Sequence, residues 1–310
     1  MTSNPFSLNF NFEPGKIYEL QPNIRRIIAP NSSPMTFTGT NTYLVGKKNI
    51  AVIDPGPKIE CHLNSILNNI KSNQSITHIL ITHSHVDHSP LAKALQDQTG
   101  APIYGYGDNF AGRSEIMVKL ARNGNLEGGE GLDLNFVPDI LLKDGDVLKN
   151  NEWQFDVIWA PGHLGNHLCF GLKQNHALFS ADHVMGWATS LVSPPDGDLT
   201  QFMNSLRKLL ELNDYSTYYP GHGDKIANPK AIIEYILTHR KMREKQVLAS
   251  ISDKSLNASE IAQDIYLDVN PALIPAAARN VFAHLIDLRE RELVKNISKL
   301  DFQAKFTTIK

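Results

Sequence analysis

Apolar and polar positions along the chain follow two different periods. Residues 50–53 and 76–82 are continuous apolar stretches and read as buried strands, the first ending at the turn signal Asp54-Pro55-Gly56-Pro57. In residues 152–159, Trp153, Phe155 and Val157 alternate with Glu152, Gln154 and Asp156, the pattern of a half-buried strand. Residues 170–172 and 177–179 are shorter strand candidates. Between these runs the period becomes helical. Ile59, Leu63, Ile66, Leu67 and Ile70 share one face, and Phe202, Leu206, Leu209 and Leu210 share another, behind an Asp198/Gln201 pair spaced like a capping box. Ser89-Pro90 reads as a helix N-cap and first helical residue. Strands interleaved with helices indicate an α/β or mixed layered domain.

The pattern changes after Pro229. Ile232, Tyr235, Ile236, His239 and Met242 make a helical stripe, and a short helix follows at 259–266, with Asn257 or Ser259 near its cap. A third helix, introduced by Asn270-Pro271, carries Ile274, Ala278, Val281, Leu285 and Leu288 on one face. Residues 293–297 and 302–309 then have the length and composition of a pairing hairpin. Three helices and a hairpin predict a small winged-helix-like domain. The expected division is therefore 1–228 and 229–310.

Composition removes several classes of function. Hydrophobic residues are 42% and charged residues 20% of the 310, an ordinary globular balance. No apolar run is long enough to span a bilayer, so no membrane partner is expected. The first residues lack the basic start and apolar centre of a leader, and two cysteines, Cys61 and Cys169, make no disulfide framework; the expected compartment is the cytoplasm. The net charge of −2 gives no sign of a polyanionic partner, but it is unevenly divided. Residues 229–310 hold 13 Lys and Arg against 10 Asp and Glu, a net of +3, which leaves −5 for the remainder. These charges read first as a solvated helix face; a basic tail also suits tracking phosphates, and equally dimerisation or covering a cleft.

The 12 histidines carry the chemistry. The strand at 76–82 runs into His83-Ser84-His85-Val86-Asp87-His88, four metal-competent side chains within six residues. One tetrahedral ion cannot use all four and keep an open position, so the loop asks for two ions completed from elsewhere. Ligand types sit just past other predicted strands: Pro161-Gly162-His163, Ser180-Ala181-Asp182-His183 and Pro220-Gly221-His222-Gly223. The repeated Pro-Gly supplies a turn that swings each histidine back over the sheet edge.

These motifs, with Gly39-Thr40-Asn41-Thr42-Tyr43 and Ile53-Asp54-Pro55-Gly56, resemble the metallo-β-lactamase superfamily from about Thr38 onward. The resemblance implies a four-layer αββα sandwich of the α+β class, with the site at the sheet edges. It implies that His83, His85 and His163 bind a first divalent ion, that Asp87, His88 and His222 bind a second, and that Asp182 bridges them. Zn²⁺ is the expected metal, with Mn²⁺ or Fe also compatible with the donors. In such a site a metal-bridging hydroxide attacks an electrophilic carbonyl or phosphorus, with Asp87 orienting it. Asp54 either holds a ligand histidine or only shapes its turn. His167 and His183 either orient ligands, touch substrate or pack; His167 is also a candidate general acid. His62, His176 and His284 are expected to be solvated or packing residues, and His78 either a core histidine or one that orients a ligand.

Within the superfamily, zinc β-lactamases are least similar, because His88 follows the loop Asp and Cys169 does not stand where their ligand cysteine does. Glyoxalase-II-type thioesterases share the two-metal set, but Leu164 follows His163 here where they carry Thr. The sequence most resembles lactamase-β-like proteins with a C-terminal winged helix, a group that includes an endoribonuclease on single-stranded RNA; Ser84 departs from the aromatic of those RNA-cleaving relatives. The shared features include His239-Arg240 followed by Arg243-Glu244 and Gln246. The resemblance implies RNA as the first expected substrate, a small thioester as the second, and a non-enzymatic nucleic-acid-binding module as the third. Residues 105–108, 123–131 and 185–190 are expected to touch substrate or to be ordinary loop.

Overall fold

The computed structural model describes residues 4–122, 131–267 and 270–309. Seven strands form one sheet in chain order: β1 (Ile17–Gln21), β2 (Ile24–Ile28), β3 (Asn41–Val45), β4 (Asn49–Ile53), β5 (Ser75–Leu80), β6 (Ile103–Gly105) and β7 (Ile140–Leu141). Pairing is antiparallel as far as β4 and parallel beyond it. Helices α1 (Glu60–Asn68) and α2 (Leu91–Thr99) make the parallel crossovers, and α3 (Glu115–Arg122) follows β6. The second sheet contains β8 (Val147–Lys149), β9 (Gln154–Trp159), β10 (Leu168–Leu172), β11 (Ala177–Ala181) and β12 (Thr217–Pro220), in spatial order 12-11-10-9-8. Helix α4 (Leu199–Glu211) crosses between the parallel pair β11 and β12.

Each sheet is apolar on both faces, and that makes four layers. Tyr43, Ala51, Ile53 and Leu80 of the first sheet meet Phe155, Val157, Phe170 and Phe179 of the second. The alternate positions Leu44, Ile50, Val52 and Ile79 turn outward onto Ile66 of α1 and Leu95 of α2. On the other side, Ile158, Cys169, Leu178 and Tyr218 pack under Phe202, Leu206 and Leu209 of α4. This is the αββα sandwich expected from the resemblance. Strand β9 keeps the half-buried alternation from Gln154 to Val157 and departs from it at Ile158, which is buried under α4; Tyr215 donates to Asp156 on that face at 2.6 Å. Asp198 caps α4 as its spacing predicts, accepting from the Gln201 amide at 3.1 Å. Ser89 does not cap α2; its hydroxyl donates instead to Asp133 at 2.8 Å.

The tail comprises α5 (Pro229–Ser250), α6 (Ala258–Ile265), α7 (Ile274–Glu290) and a hairpin of β13 (Val294–Asn296) with β14 (Phe306–Thr308), the predicted winged-helix layout. Asn257 caps α6 in a full capping box with Glu260. Helix α5 belongs to two cores. Ile232, Ile233 and Ile236 pack on the sandwich, whereas Val247 packs with Val281, Phe282 and Phe306 in the tail. The predicted stripe also ends differently: Met242 is exposed, and Arg240 takes a buried position on the helix. No helix among the described residues is long and apolar enough to cross a membrane.

Candidate metal centre

The loops after β5, β9, β11 and β12 deliver seven side chains to one edge of the sandwich. His83 follows β5, His163 follows β9, Asp182 follows β11 and His222 follows β12. Two glycines show how tight this is. Gly162 has φ +132, and a Cβ there would meet the Phe202 backbone at 2.2 Å. A Cβ on Gly221 would lie 2.2 Å from Asp182 Oδ1 and 2.7 Å from His88 Cε1. Only glycine lets the second Pro-Gly-His turn pass this close to the carboxylate.

The donor atoms form two neighbouring sets. His83 Nε2 and His163 Nε2 lie 3.0 Å and 3.1 Å from His85 Nδ1. On the other side His222 Nε2 is 3.2 Å and His88 Nε2 is 3.4 Å from Asp87 Oδ2. Asp182 stands between them: Oδ2 is 3.7 Å from His163 and 3.3 Å from His222, and Oδ1 is 3.5 Å from His88. His83/His85/His163, His83/His88/Asp182 and Asp87/His88/His222 each bring three donor atoms within 4.8 Å of one another. Three imidazole nitrogens that face each other cannot all be satisfied by mutual hydrogen bonds, and His88 Nε2 and Asp182 Oδ1 are buried without a partner. Buried, convergent, under-satisfied nitrogen and oxygen donors fit divalent cations. The open side is at His85 and Asp87, whose side chains remain partly accessible.

The far nitrogens of the rings are fixed by specific partners. His88 Nδ1 lies 2.9 Å from Asp54 Oδ2, which also accepts from the Thr82 hydroxyl at 2.6 Å. Asp54 therefore orients a candidate ligand, and it does so from a left-handed φ of 49. His83 Nδ1 is 3.0 Å from the Thr82 hydroxyl. His163 Nδ1 donates to the Leu191 carbonyl at 2.8 Å, and His222 Nδ1 to the Gly39 carbonyl at 3.2 Å. The Thr40 hydroxyl donates to Asp87 at 3.2 Å. Thr82, Thr40 and the carbonyls of Leu191 and Gly39 are contacts the sequence reading missed. Thr40 lay inside a quoted motif, but nothing marked it as a partner of Asp87.

Charge separates the two sides. Burial lowers His83 well below the ordinary histidine value, reinforced by His88, and lowers His85 to about 3 and His163 by a smaller amount. Burial also pushes against charge on His88 and His222, but Asp87 and Asp182 outweigh it, holding His88 well above its usual value and His222 at about 10. Burial works equally against Asp87 and Asp182, yet the neighbouring imidazoles keep both well below the carboxylate range.

The remaining histidines divide cleanly. His167 stacks 5.0 Å from His83, and His183 packs 4.5 Å from Phe202; both are fully buried. His62 is buried beneath Gly56, 2.8 Å from the Thr42 hydroxyl. His78 stacks on Tyr104 and meets Trp153 edge to face, and His284 is buried in α7. Tyr106 stacks on Trp159, while Trp187 stacks on Phe37 beside Gly223. Residues 123–130 of the glycine-rich stretch lie outside the described residues.

Comparison with known proteins identifies the family of both parts of the chain. The family model described as the metallo-beta-lactamase superfamily matches residues 35–222, and one described as the beta-lactamase associated winged helix domain matches 258–303. The chain is 30% identical to the beta-lactamase-like protein 2 homolog of Drosophila melanogaster, over 91% of this chain and 93% of that one. It is 29% identical to an atrochrysone carboxyl ACP thioesterase of Claviceps purpurea, over 81% of this chain and 74% of that one. Its fold superimposes on a beta-lactamase domain protein from Burkholderia ambifaria with a TM-score of 0.80, at 20% identity, covering 98% of this chain and 97% of that one.

Proposed function

The chain belongs to the metallo-β-lactamase superfamily, and from that premise we propose that it is a two-metal hydrolase whose preferred substrate is an acyl thioester. The convergence of seven buried or half-buried His and Asp donors carries the reading. His83, His85 and His163 would hold one divalent ion, Asp87, His88 and His222 the other, and Asp182 both. The donors suit Zn²⁺, and also Mn²⁺ or Fe. When bound, such ions supply polarisation of the substrate oxygen and water activated near neutral pH.

The protein's own groups do the rest. Asp87, on the open side, accepts a hydrogen bond from the attacking water while Thr40 fixes its other contacts. Water adds to the thioester carbonyl, the C–S bond breaks, and the sulfur leaves as a thiol after gaining a proton. Asp54 keeps His88 in a single tautomer through the turnover. His167 is sealed from solvent and held neutral by burial, so it is assigned to packing against His83 rather than to proton transfer.

Two observations favour a thioester. The Claviceps relative is named a thioesterase. Met35, Val86 and Phe110 are also exposed, on loops hydrogen-bonded to the cluster or its neighbours through Thr40–Asp87 and Asn166–Ser84, and offer apolar surface to an acyl chain. Among the described residues, no Lys or Arg hydrogen bonds or pairs with the seven, whereas phosphate tracking depends on such cations. Single-stranded RNA is the second reading, favoured by the +3 tail. The test gives metal-loaded protein both S-lactoylglutathione and a short single-stranded RNA, with Asp87→Asn as control. Thiol release that Asp87→Asn abolishes supports the first reading. RNA cleavage abolished by the same change, with no thiol release, replaces it with the second.

A further inference from the structure

The tail reaches the metal centre through one buried arginine. Arg240, on α5, is 3% exposed, and its guanidinium packs 5.4 Å from the Phe202 ring. No carboxylate among the described residues pairs with it. Its donors go instead to the Ser190 carbonyl at 2.5 Å and to Asn280 Oδ1, on α7, at 2.9 Å. Asn280 Oδ1 also accepts from the Val192 amide at 3.0 Å. Arg240 and Asn280 thus grip both ends of the segment 190–192.

That segment touches the cluster twice. The Leu191 carbonyl accepts from His163 Nδ1 at 2.8 Å, and the Ser190 hydroxyl donates to the Asp182 carbonyl. One short loop therefore sets the ring of His163 and the backbone of Asp182, and the two helices of the tail hold that loop. A buried cation facing only carbonyl and amide oxygens is costly, and packing alone does not ask for it. Five rigidly forked donors suit a residue that must fix a backbone segment from one side.

We propose that Arg240 and Asn280 are positioning residues for the metal ion held by His83, His85 and His163, so that the C-terminal helices set the affinity of that half of the centre. The proposal rests on the reading of His163 and Asp182 as ligands. Loss of a contact that orients a ligand costs about 10–100-fold in metal affinity.

The test titrates metal-free full-length protein with Co²⁺, following the d–d absorption, and then competes it with a chelator to obtain stepwise affinities. Arg240→Met keeps the apolar stem against Phe202, Asn280→Ala is the milder change, and Arg240→Lys restores only the charge. Expected is a tenfold or greater loss for one ion in Arg240→Met with altered d–d bands, a smaller loss in Asn280→Ala, and incomplete rescue by lysine. Phe306→Leu, in the tail core and with no hydrogen bond to the loop, should lower the Tm without changing either affinity. Unchanged affinities and spectra in both Arg240→Met and Asn280→Ala would overturn the proposal, as would an equal loss in Phe306→Leu. His163→Ala is run alongside: if it retains both ions, the ligand reading falls, and this proposal falls with it.

Discussion

His163 and His222 arrive on the same three letters, Pro-Gly-His, and are held by opposite ends of the chain. His222 is supported by the first sheet. Asn41 donates to the Pro220 and Gly223 carbonyls at 2.9 Å each, Tyr43 donates to Pro220 at 2.6 Å, and Arg26 donates to Gly223 at 3.3 Å from beneath Phe10 and Phe12. His163 is supported by a loop that the C-terminal helices grip. The glycines differ in the same way: Gly221 makes room for Asp182 and His88, and Gly162 makes room for the α4 backbone. A shared motif specifies where a ligand goes, while the support behind it comes from whichever element packs there.

Asp182 is the one side chain that belongs to both sides. Asp182→Ala should lose at least one ion and reduce kcat by about 10³ or more, since metal polarisation is worth several kcal/mol. A fully active variant containing two ions per chain by elemental analysis would remove the bridging role.

The glycine pair offers the next largest contrast. Gly162→Ala should destabilise the fold by about 2–4 kcal/mol in urea unfolding, because the left-handed φ and the backbone clash add together. Gly221→Ala should instead weaken metal binding with a smaller loss of stability, since its neighbours are donor side chains. Identical stability losses with intact metal content in both would erase the distinction.

Protonation sharpens it further. His88 and His222 have raised pKa values in the metal-free protein, His222 to about 10, so both carry protons at neutral pH. Metal must displace those protons, and affinity on that side should therefore fall as pH falls, on the order of tenfold per unit for each proton displaced. His83, His85 and His163 are lowered and already neutral at pH 7, so their side should release none. Calorimetric titrations in buffers of different ionisation enthalpy measure this; equal proton release in both steps would contradict it.

Thr40→Val is the smallest change. Losing one hydrogen bond to Asp87 should lower kcat no more than about tenfold and leave metal content intact, as steady-state kinetics with elemental analysis would show.

The seven convergent side chains were legible because metal chemistry restricts residue type and all lie in loops that follow strand ends. The four-layer order was not in the periodicity, since β4–β5 and β11–β12 are parallel pairs joined across helices; the family resemblance supplied it. Asn257 as a cap was readable, because capping is local. Ser89 was misread because Asp133, 44 residues away, takes its hydroxyl. Arg240 was invisible as a support for the same reason: its partners are a backbone carbonyl on a loop and a side-chain amide on another helix, and its own helix pattern pointed to Met242. Nothing in one sequence marks a carbonyl such as Leu191 as the holder of a histidine.

Helix α5 has a consequence for anyone dividing this molecule. Because Ile232, Ile233 and Ile236 complete the core that α4 and the outer face of the second sheet share, a fragment ending at residue 228 exposes part of that core to water. A fusion or truncation that respects the architecture keeps α5 whole. The winged helix is then not a detachable cassette: grafting another in its place exchanges part of the enzyme's own scaffolding along with it.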